Sequence, residues 1–199
     1  MSTSSASQPA PDPVVGFGQL LRIALFPSAI ADVLVGISLA HLGGVPLSPA
    51  VWLLIPASLG IYHGAMALND WADRDVDARE RPERPIPSGA IPSSIALCVA
   101  MLLMLGGVMW AAAAGPRAGI WMAVVAILAA LYDVAGRGAI RGPLLLGLCR
   151  AGNLGAGLLS PWLVGAEPLL SPLMVGVLCG VYGLHVASLS SLGRLEGGE

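Results

Sequence analysis

The sequence consists largely of long apolar stretches separated by short polar segments. Uncharged runs cover residues 33–69, 91–116, 118–132, 151–166 and 168–193. A helix needs about 20 apolar residues to cross a bilayer, and several of these runs are that long. We therefore predict an all-α fold, a polytopic transmembrane helix bundle of about six spans. The predicted spans are residues 17–40, 48–68, 93–115, 117–132, 143–165 and 171–192.

Composition supports a membrane protein and excludes several soluble classes. Of 199 residues, 56% are hydrophobic and 11% are charged, whereas a soluble domain averages about 25% charged residues. The net charge of −2 and the lack of a basic tail give no electrostatic footprint for nucleic acid. Residues 1–16, rich in Ser, Ala and Pro, are predicted to form a disordered tail before a membrane domain of residues 17–199.

The arginines predict the orientation of the bundle. Seven arginines follow the second, fourth and sixth predicted spans, and only Arg117 occupies one of the other connections. Short cytoplasmic loops carry an excess of positive charge. We therefore expect an integral protein of the bacterial inner membrane, with its N-terminus and its active site on the cytoplasmic side. The seven arginines are Arg74, Arg79, Arg81, Arg84, Arg137, Arg141 and Arg194.

An acidic block follows the second apolar run without a turn signal. If the helix continues at about 100° per residue, Asp70, Asp73 and Asp77 share one face, and Asn69 falls beside Asp73. Like charges on one helix face destabilise it, so this face is best explained by a divalent cation or by arginines. Mg²⁺ binds oxygen ligands, commonly one or two carboxylates together with substrate phosphates. Arginines follow directly, and guanidinium groups match phosphate oxygens in shape. Together these features favour a magnesium-bound diphosphate over an ordinary solvated, charged loop.

Residues 69–91 read NDWADRDVDARERPERPIPSGAI. This block resembles the first aspartate motif of the UbiA-type intramembrane prenyltransferases, Asn-Asp-x-x-Asp-x-x-x-Asp followed by Arg-Pro-x-Pro-Ser-Gly. Two rival families fit less well. A CDP-alcohol phosphotransferase would need Gly where Arg74 follows the second aspartate, and soluble prenyl-diphosphate synthases are not this apolar.

The resemblance implies Mg²⁺-dependent transfer of a prenyl group from an isoprenyl diphosphate to an aromatic or other lipophilic acceptor in the membrane. It implies Asp70, Asp73, Asp77 and Arg137 as catalytic residues, with the three aspartates as metal ligands. It also implies substrate-binding roles for Asn69, Arg84 and Tyr132. The position of polar residues inside predicted spans adds Arg150, Asn153 and Asp32 as candidate substrate-binding residues. The Cys-Arg-x-x-Asn element at residues 149–153 resembles the EboC-like branch of the superfamily.

Two buried charges leave alternatives open. Arg150 and Asn153 are three residues apart on one face of the fifth predicted helix, and Asp32 lies midway along the first. A charge inside the membrane is costly unless it meets a partner or a water-filled cavity. In one hypothesis Arg150 and Asn153 line a substrate cavity, while Asp32 pairs with Arg150 or binds the acceptor. In the other, an ion pair between Asp32 and Arg150 only ties two helices together.

The C-terminus departs from the family pattern. Family members have more helices than the six predicted here, and their second acidic motif is expected after the sixth. Glu196 is the only remnant of such a metal site in this sequence. A fragment, an oligomer that closes the bundle, and an inactive relative that binds prenyl diphosphate or serves as a scaffold are the alternatives. A small transporter is disfavoured, because the polar loops lie on one face only.

Overall fold

A computed structural model describes residues 12–42, 46–136, 138–168 and 170–196, with side chains described through residue 193. In these ranges the regular structure is entirely helical, which confirms the predicted all-α bundle. Short 3₁₀ turns at Ile23–Leu25 and Pro49–Leu53 precede two of the helices. The helices are α1 (Pro13–Leu20), α2 (Phe26–Leu42), α3 (Leu54–Glu80), α4 (Ser93–Ala114), α5 (Pro116–Ala135), α6 (Arg141–Leu158), α7 (Ser160–Leu163) and α8 (Pro172–Glu196).

Five helical segments of the described chain are long and apolar enough to cross a membrane, one fewer than predicted. They are Pro13–Leu42, Pro49–Glu80, Ser93–Ala114, Pro116–Ala135 and Pro172–Gly193. The predicted span missing from these five, residues 143–165, falls on α6, which has 18 residues and includes two arginines and five glycines. Because α6 packs against α2, α5 and α8, it can tolerate polar side chains that a lipid-facing helix cannot.

The first predicted span is broken in two. Arg22 adopts a left-handed backbone with φ 47° and ψ 48°, and α2 starts four residues later. Pro27, in the first turn of α2, cannot donate the backbone hydrogen bond that a continuous helix would need there. The break frees the Leu21 carbonyl oxygen, which accepts a hydrogen bond from His63 Nδ1 at 2.7 Å. The single helix predicted for residues 17–40 is therefore wrong.

The start of α1 also differs from the predicted boundary. Asp12 caps this helix through a hydrogen bond from the Val14 amide to its Oδ1 at 2.8 Å. A proline in the first turn then fits, because its missing N–H would have no partner there. Residues 13–16 of the predicted tail are thus helical, while residues 1–11 lie outside the described chain.

Close helix crossings depend on glycine. At the crossing of α2 and α6, a Cβ on Gly157 would lie 2.3 Å from the Val33 carbonyl oxygen, and one on Gly36 would lie 2.5 Å from that of Leu154. A Cβ on Gly147 would lie 2.4 Å from the Gly183 carbonyl oxygen, where α6 meets α8. Small residues let membrane helices approach until their backbones touch. These contacts hold α6 in the centre of the bundle.

Candidate active site

The acidic face of α3 forms as the sequence predicts. The helix runs through to Glu80, so it carries Asp70, Asp73 and Asp77 on its last three turns. Asp70 and Asp77 are buried. Asn69 donates a hydrogen bond from its Nδ2 to Asp73 Oδ2 at 3.4 Å, which confirms that the two side chains are neighbours. The like charges of this face need compensation from other elements.

Arg84 supplies part of that compensation from the loop after α3. Its Nη1 donates to Asp70 Oδ1 at 3.1 Å and to Asp77 Oδ2 at 2.9 Å. The loop folds back over the helix end because the Ile91 amide bonds to the Pro85 carbonyl oxygen and Gly89 turns the chain at φ 78°. Arg84 was predicted to bind substrate. In the structure its guanidinium holds two of the three motif carboxylates.

Arg22 is a site residue that the sequence analysis did not single out. Its Nη2 lies 3.3 Å from both Asn69 Oδ1 and Asp70 Oδ1. The left-handed backbone at the break turns this side chain from the end of α1 onto α3. A non-glycine residue held at positive φ stores strain, and such residues cluster at functional sites. The sequence offers no signal for this contact, which joins residues 47 and 48 positions apart.

The end of α5 adds a second missed residue. Asp133 is 3% exposed, and neither of its carboxylate oxygens has a hydrogen-bond partner among the described residues. It follows Tyr132, which was predicted as a substrate contact, and the two lie on the last turn of α5. Arg137, predicted as catalytic, lies outside the described residues. An apolar run that ends in Tyr-Asp was the available signal.

Two cavities adjoin at this end of the bundle. The polar cavity, of about 420 Å³, lies between the acidic face of α3 and the end of α5. The apolar cavity, of about 380 Å³, extends from there between α2, α3, α5 and α6. Asn69, Tyr132 and Asp133 line both. Among the other residues, the polar cavity is lined by Asp73, Asp77, Glu80 and Arg81, and the apolar one by Arg22, Ile61, Ala65, Met66, Val125, Ala129, Arg150 and Asn153.

The charges predicted inside the membrane do pair. Arg150 Nη2 lies 3.0 Å from Asp32 Oδ1, and the Tyr182 hydroxyl donates to the same oxygen at 2.6 Å. Asn153 Nδ2 donates to the Ala29 carbonyl oxygen at 3.0 Å. Arg150 and Asn153 also line the apolar cavity. The predicted pair between Asp32 and Arg150 is therefore present, and both Arg150 and the neighbouring Asn153 line the apolar cavity.

Asp75 shows where local spacing misleads. Its four-residue spacing from Arg79 favours an ion pair on a helix, but Arg79 Nε donates to the Asp75 backbone carbonyl oxygen at 3.2 Å. The exposed carboxylate instead lies 3.6 Å from Arg74 Nη2.

The chemistry of this site fits a cation bound together with phosphate. Within the described ranges no three His, Cys, Asp or Glu side chains are arranged to hold a metal ion on their own. Mg²⁺ does not need such a cage, because it keeps several waters and commonly takes one or two carboxylates plus phosphate oxygens. Asp73 and the unpaired Asp133 line one cavity and can supply them. The side chain of Glu196, the other predicted ligand, lies outside the described residues.

Comparison with known proteins points to one family. The sequence profile of the UbiA prenyltransferase family matches residues 29–197. The bacteriochlorophyll synthase 33 kDa chain of Cereibacter sphaeroides is 33% identical over 144 residues, which cover 67% of this chain and 45% of that protein. The digeranylgeranylglyceryl phosphate synthase of Ignicoccus hospitalis is 30% identical over 115 residues, which cover 58% of this chain and 37% of the relative. The chain thus spans less than half the length of these relatives.

A solved structure has the same fold. It belongs to work on a digeranylgeranylglyceryl phosphate synthase in membranes and superimposes with a TM-score of 0.76 at 17% identity. The match covers 93% of this chain and 64% of that one. The helices described above therefore follow the arrangement of that larger bundle.

Proposed function

Because the chain belongs to the UbiA prenyltransferase family, we propose that it transfers a prenyl group from an isoprenyl diphosphate to a lipophilic acceptor, aromatic or other, within the membrane. The observation that carries the proposal is the meeting of the polar and apolar cavities at Asn69, Tyr132 and Asp133. An isoprenyl diphosphate has the same two parts, a charged head on an apolar chain. The bond between the diphosphate and the prenyl chain, which breaks in the reaction, would lie where the two cavities meet, beside these three residues.

The head group would occupy the polar cavity. Asp70, Asp73 and Asp77 are the proposed ligands for Mg²⁺, which when bound neutralises the diphosphate and makes it a better leaving group. Arg84 holds two of these carboxylates in place. Arg22 and Arg137 are proposed to stabilise the charge on the departing diphosphate, since guanidinium groups match phosphate oxygens in geometry.

The prenyl chain would occupy the apolar cavity. Its walls come from α3 and α5 and include Ile61, Ala65, Met66 and Ala129. These side chains would exclude water while the allylic cation forms, so that the cation reacts with the acceptor and not with solvent. Arg150 and Asn153, on the far wall, are proposed to orient the acceptor or the diphosphate.

The orientation predicted from the arginines agrees with this arrangement. Arg74, Arg79 and Arg81 lie at the end of α3 that carries the aspartates, and Arg141 begins α6 on the loop that follows α5. A cytoplasmic excess of arginine would then place the polar cavity on the cytoplasmic side of a bacterial inner membrane. Soluble isoprenyl diphosphate would reach the site from there.

A second candidate function is a membrane protein that binds prenyl diphosphate without turning it over. The observation in its favour is that Arg84 already engages Asp70 and Asp77. Fewer motif carboxylates are then available to a cation than the sequence suggests. Such a protein would bind the prenyl diphosphate but would not cleave the bond between the prenyl group and the diphosphate.

The test is Mg²⁺-dependent release of pyrophosphate from labelled prenyl diphosphates by the purified 199-residue chain. The double variant Asp70→Ala, Asp73→Ala removes motif carboxylates, and Asp75→Asn serves as the matched control because its carboxylate is exposed. Release by the wild type and the control, and not by the double variant, supports the transferase. Donor binding by a folded wild type without release supports the binder, and the transferase proposal then fails.

A further inference from the structure

Four aspartates are buried in the described part of the chain, and one of them differs from the rest. Asp32 has Arg150, Asp70 has Arg22 and Arg84, and Asp77 has Arg84 as guanidinium partners. Asp133 is only 3% exposed. Within the described ranges, neither of its carboxylate oxygens has a hydrogen-bond partner. An unpaired buried carboxylate is costly. In a native protein such a group calls for a physical explanation, and a bound ion is one of them.

The position of Asp133 indicates what it binds. It lines the polar cavity together with Asp73 and Asp77, and it reaches that cavity from α5 while they reach it from α3. Carboxylates from two helices facing one space repel each other unless a cation lies between them. Mg²⁺ with its waters is the cation whose usual ligands are one or two carboxylates and phosphate oxygens.

We propose that Asp133 is an additional carboxylate ligand of the divalent cation that accompanies the diphosphate, supplied by α5 to the site that α3 begins. This inference rests on the proposed function and deepens it. It also accounts for the absence of a preformed cage of three ligands among the described residues: Asp73 and Asp133 would be joined by the cation itself, and the phosphate oxygens would complete the site. The rival partner for Asp133 is Arg137, four residues further along the chain.

The test is Mn²⁺ binding to the detergent-purified 199-residue chain, followed through the electron paramagnetic resonance signal of free Mn²⁺, with no diphosphate present. Asp133→Asn keeps the size of the side chain and removes its charge. Asp75→Asn removes a charge from the exposed face of α3 and is the matched control. We expect Asp133→Asn to weaken Mn²⁺ binding about tenfold or more, and Asp75→Asn to leave it within about twofold.

A second measurement separates a ligand from a structural residue. In EDTA, Asp133→Asn should unfold at a higher temperature than the wild type, because it no longer buries an unpaired charge. Adding Mg²⁺ should also raise the unfolding temperature of Asp133→Asn by less than it raises that of the wild type. Lower stability of Asp133→Asn in EDTA would mean that the carboxylate holds the fold together, for example through Arg137, and would overturn the inference.

The outcomes distinguish this inference from the proposed function. If the wild type binds Mn²⁺ and Asp133→Asn binds it equally well, Asp133 is not a ligand and the prenyltransferase proposal stands. If the wild type binds no Mn²⁺ while pyrophosphate release still requires Mg²⁺, the cation arrives with the diphosphate and the inference fails in its present form. If there is neither Mn²⁺ binding nor release, both fail.

Discussion

Arg84→Gln should destabilise the protein through two carboxylates at once. The guanidinium, 24% exposed, donates to Asp70 at 3.1 Å and to Asp77 at 2.9 Å, and the side chains of these aspartates are 7% and 4% exposed. Each charge-assisted hydrogen bond contributes about 1.5–3 kcal/mol, and removing one partner of a buried pair costs about 3–5 kcal/mol.

The partners that remain reduce this cost. Asp70 keeps Arg22 at 3.3 Å, whereas Asp77 keeps only Arg81, at 4.0 Å. Most of the loss should therefore fall on Asp77, and we expect the free energy of unfolding to drop by about 3 kcal/mol. For a chain of this size that corresponds to a fall in unfolding temperature of about 6–12 °C.

The assay is thermal unfolding in detergent, with the exposed Arg79→Gln as the matched control. Adding Asp77→Asn to Arg84→Gln should recover about half of the loss, because no charge is then stranded at that position. A fall for Arg84→Gln no larger than that for Arg79→Gln would refute the reasoning. So would the absence of any recovery in the double variant.

Three further predictions concern the contacts among α2, α6 and α8 and are tested by the same unfolding assay. Arg150→Met leaves Asp32 without a cation and should cost about 3 kcal/mol; loss of turnover with unchanged stability would instead support a role only in the cavity. Tyr182→Phe removes the 2.6 Å hydrogen bond to Asp32 and should cost about 1.5–3 kcal/mol, and an unaltered unfolding temperature would contradict this. Gly157→Ala places a methyl group 2.3 Å from a carbonyl oxygen and should cost about 1–3 kcal/mol, whereas Gly176→Ala, with no atom within 4 Å, should cost nothing.

The site was predictable where its parts lie close together along one helix. Asp70, Asp73 and Asp77 are three and four residues apart, so the helical repeat alone places them on one face once the helix is known to continue. The pairing of Asp32 with Arg150, 118 residues apart, could be predicted only as one of several outcomes, because burial demands a partner without saying which.

The rest depends on tertiary packing. No motif marks Arg22 in the sequence, and its role appears only when the break before α2 turns its side chain onto Asn69. Asp133 looked like part of a polar loop until α5 was seen to end against the acidic face of α3. Hydropathy predicted a helix at residues 143–165 but could not indicate that α6 packs against α2, α5 and α8, because the hydropathy of a segment does not identify its neighbours.

The polar and apolar cavities share only three lining residues, Asn69, Tyr132 and Asp133, so most substitutions would change one cavity without changing the other. Ala65 and Ala129 line the apolar cavity alone, whereas Asp73 and Asp77 line the polar cavity alone. If the proposed isoprenyl diphosphate binds here, larger or smaller side chains at the first pair would alter the length of prenyl chain that fits and leave the diphosphate site unchanged. Under the proposed function, a lineage with this architecture can therefore diversify in the chain length of its donor without rebuilding the site for the diphosphate.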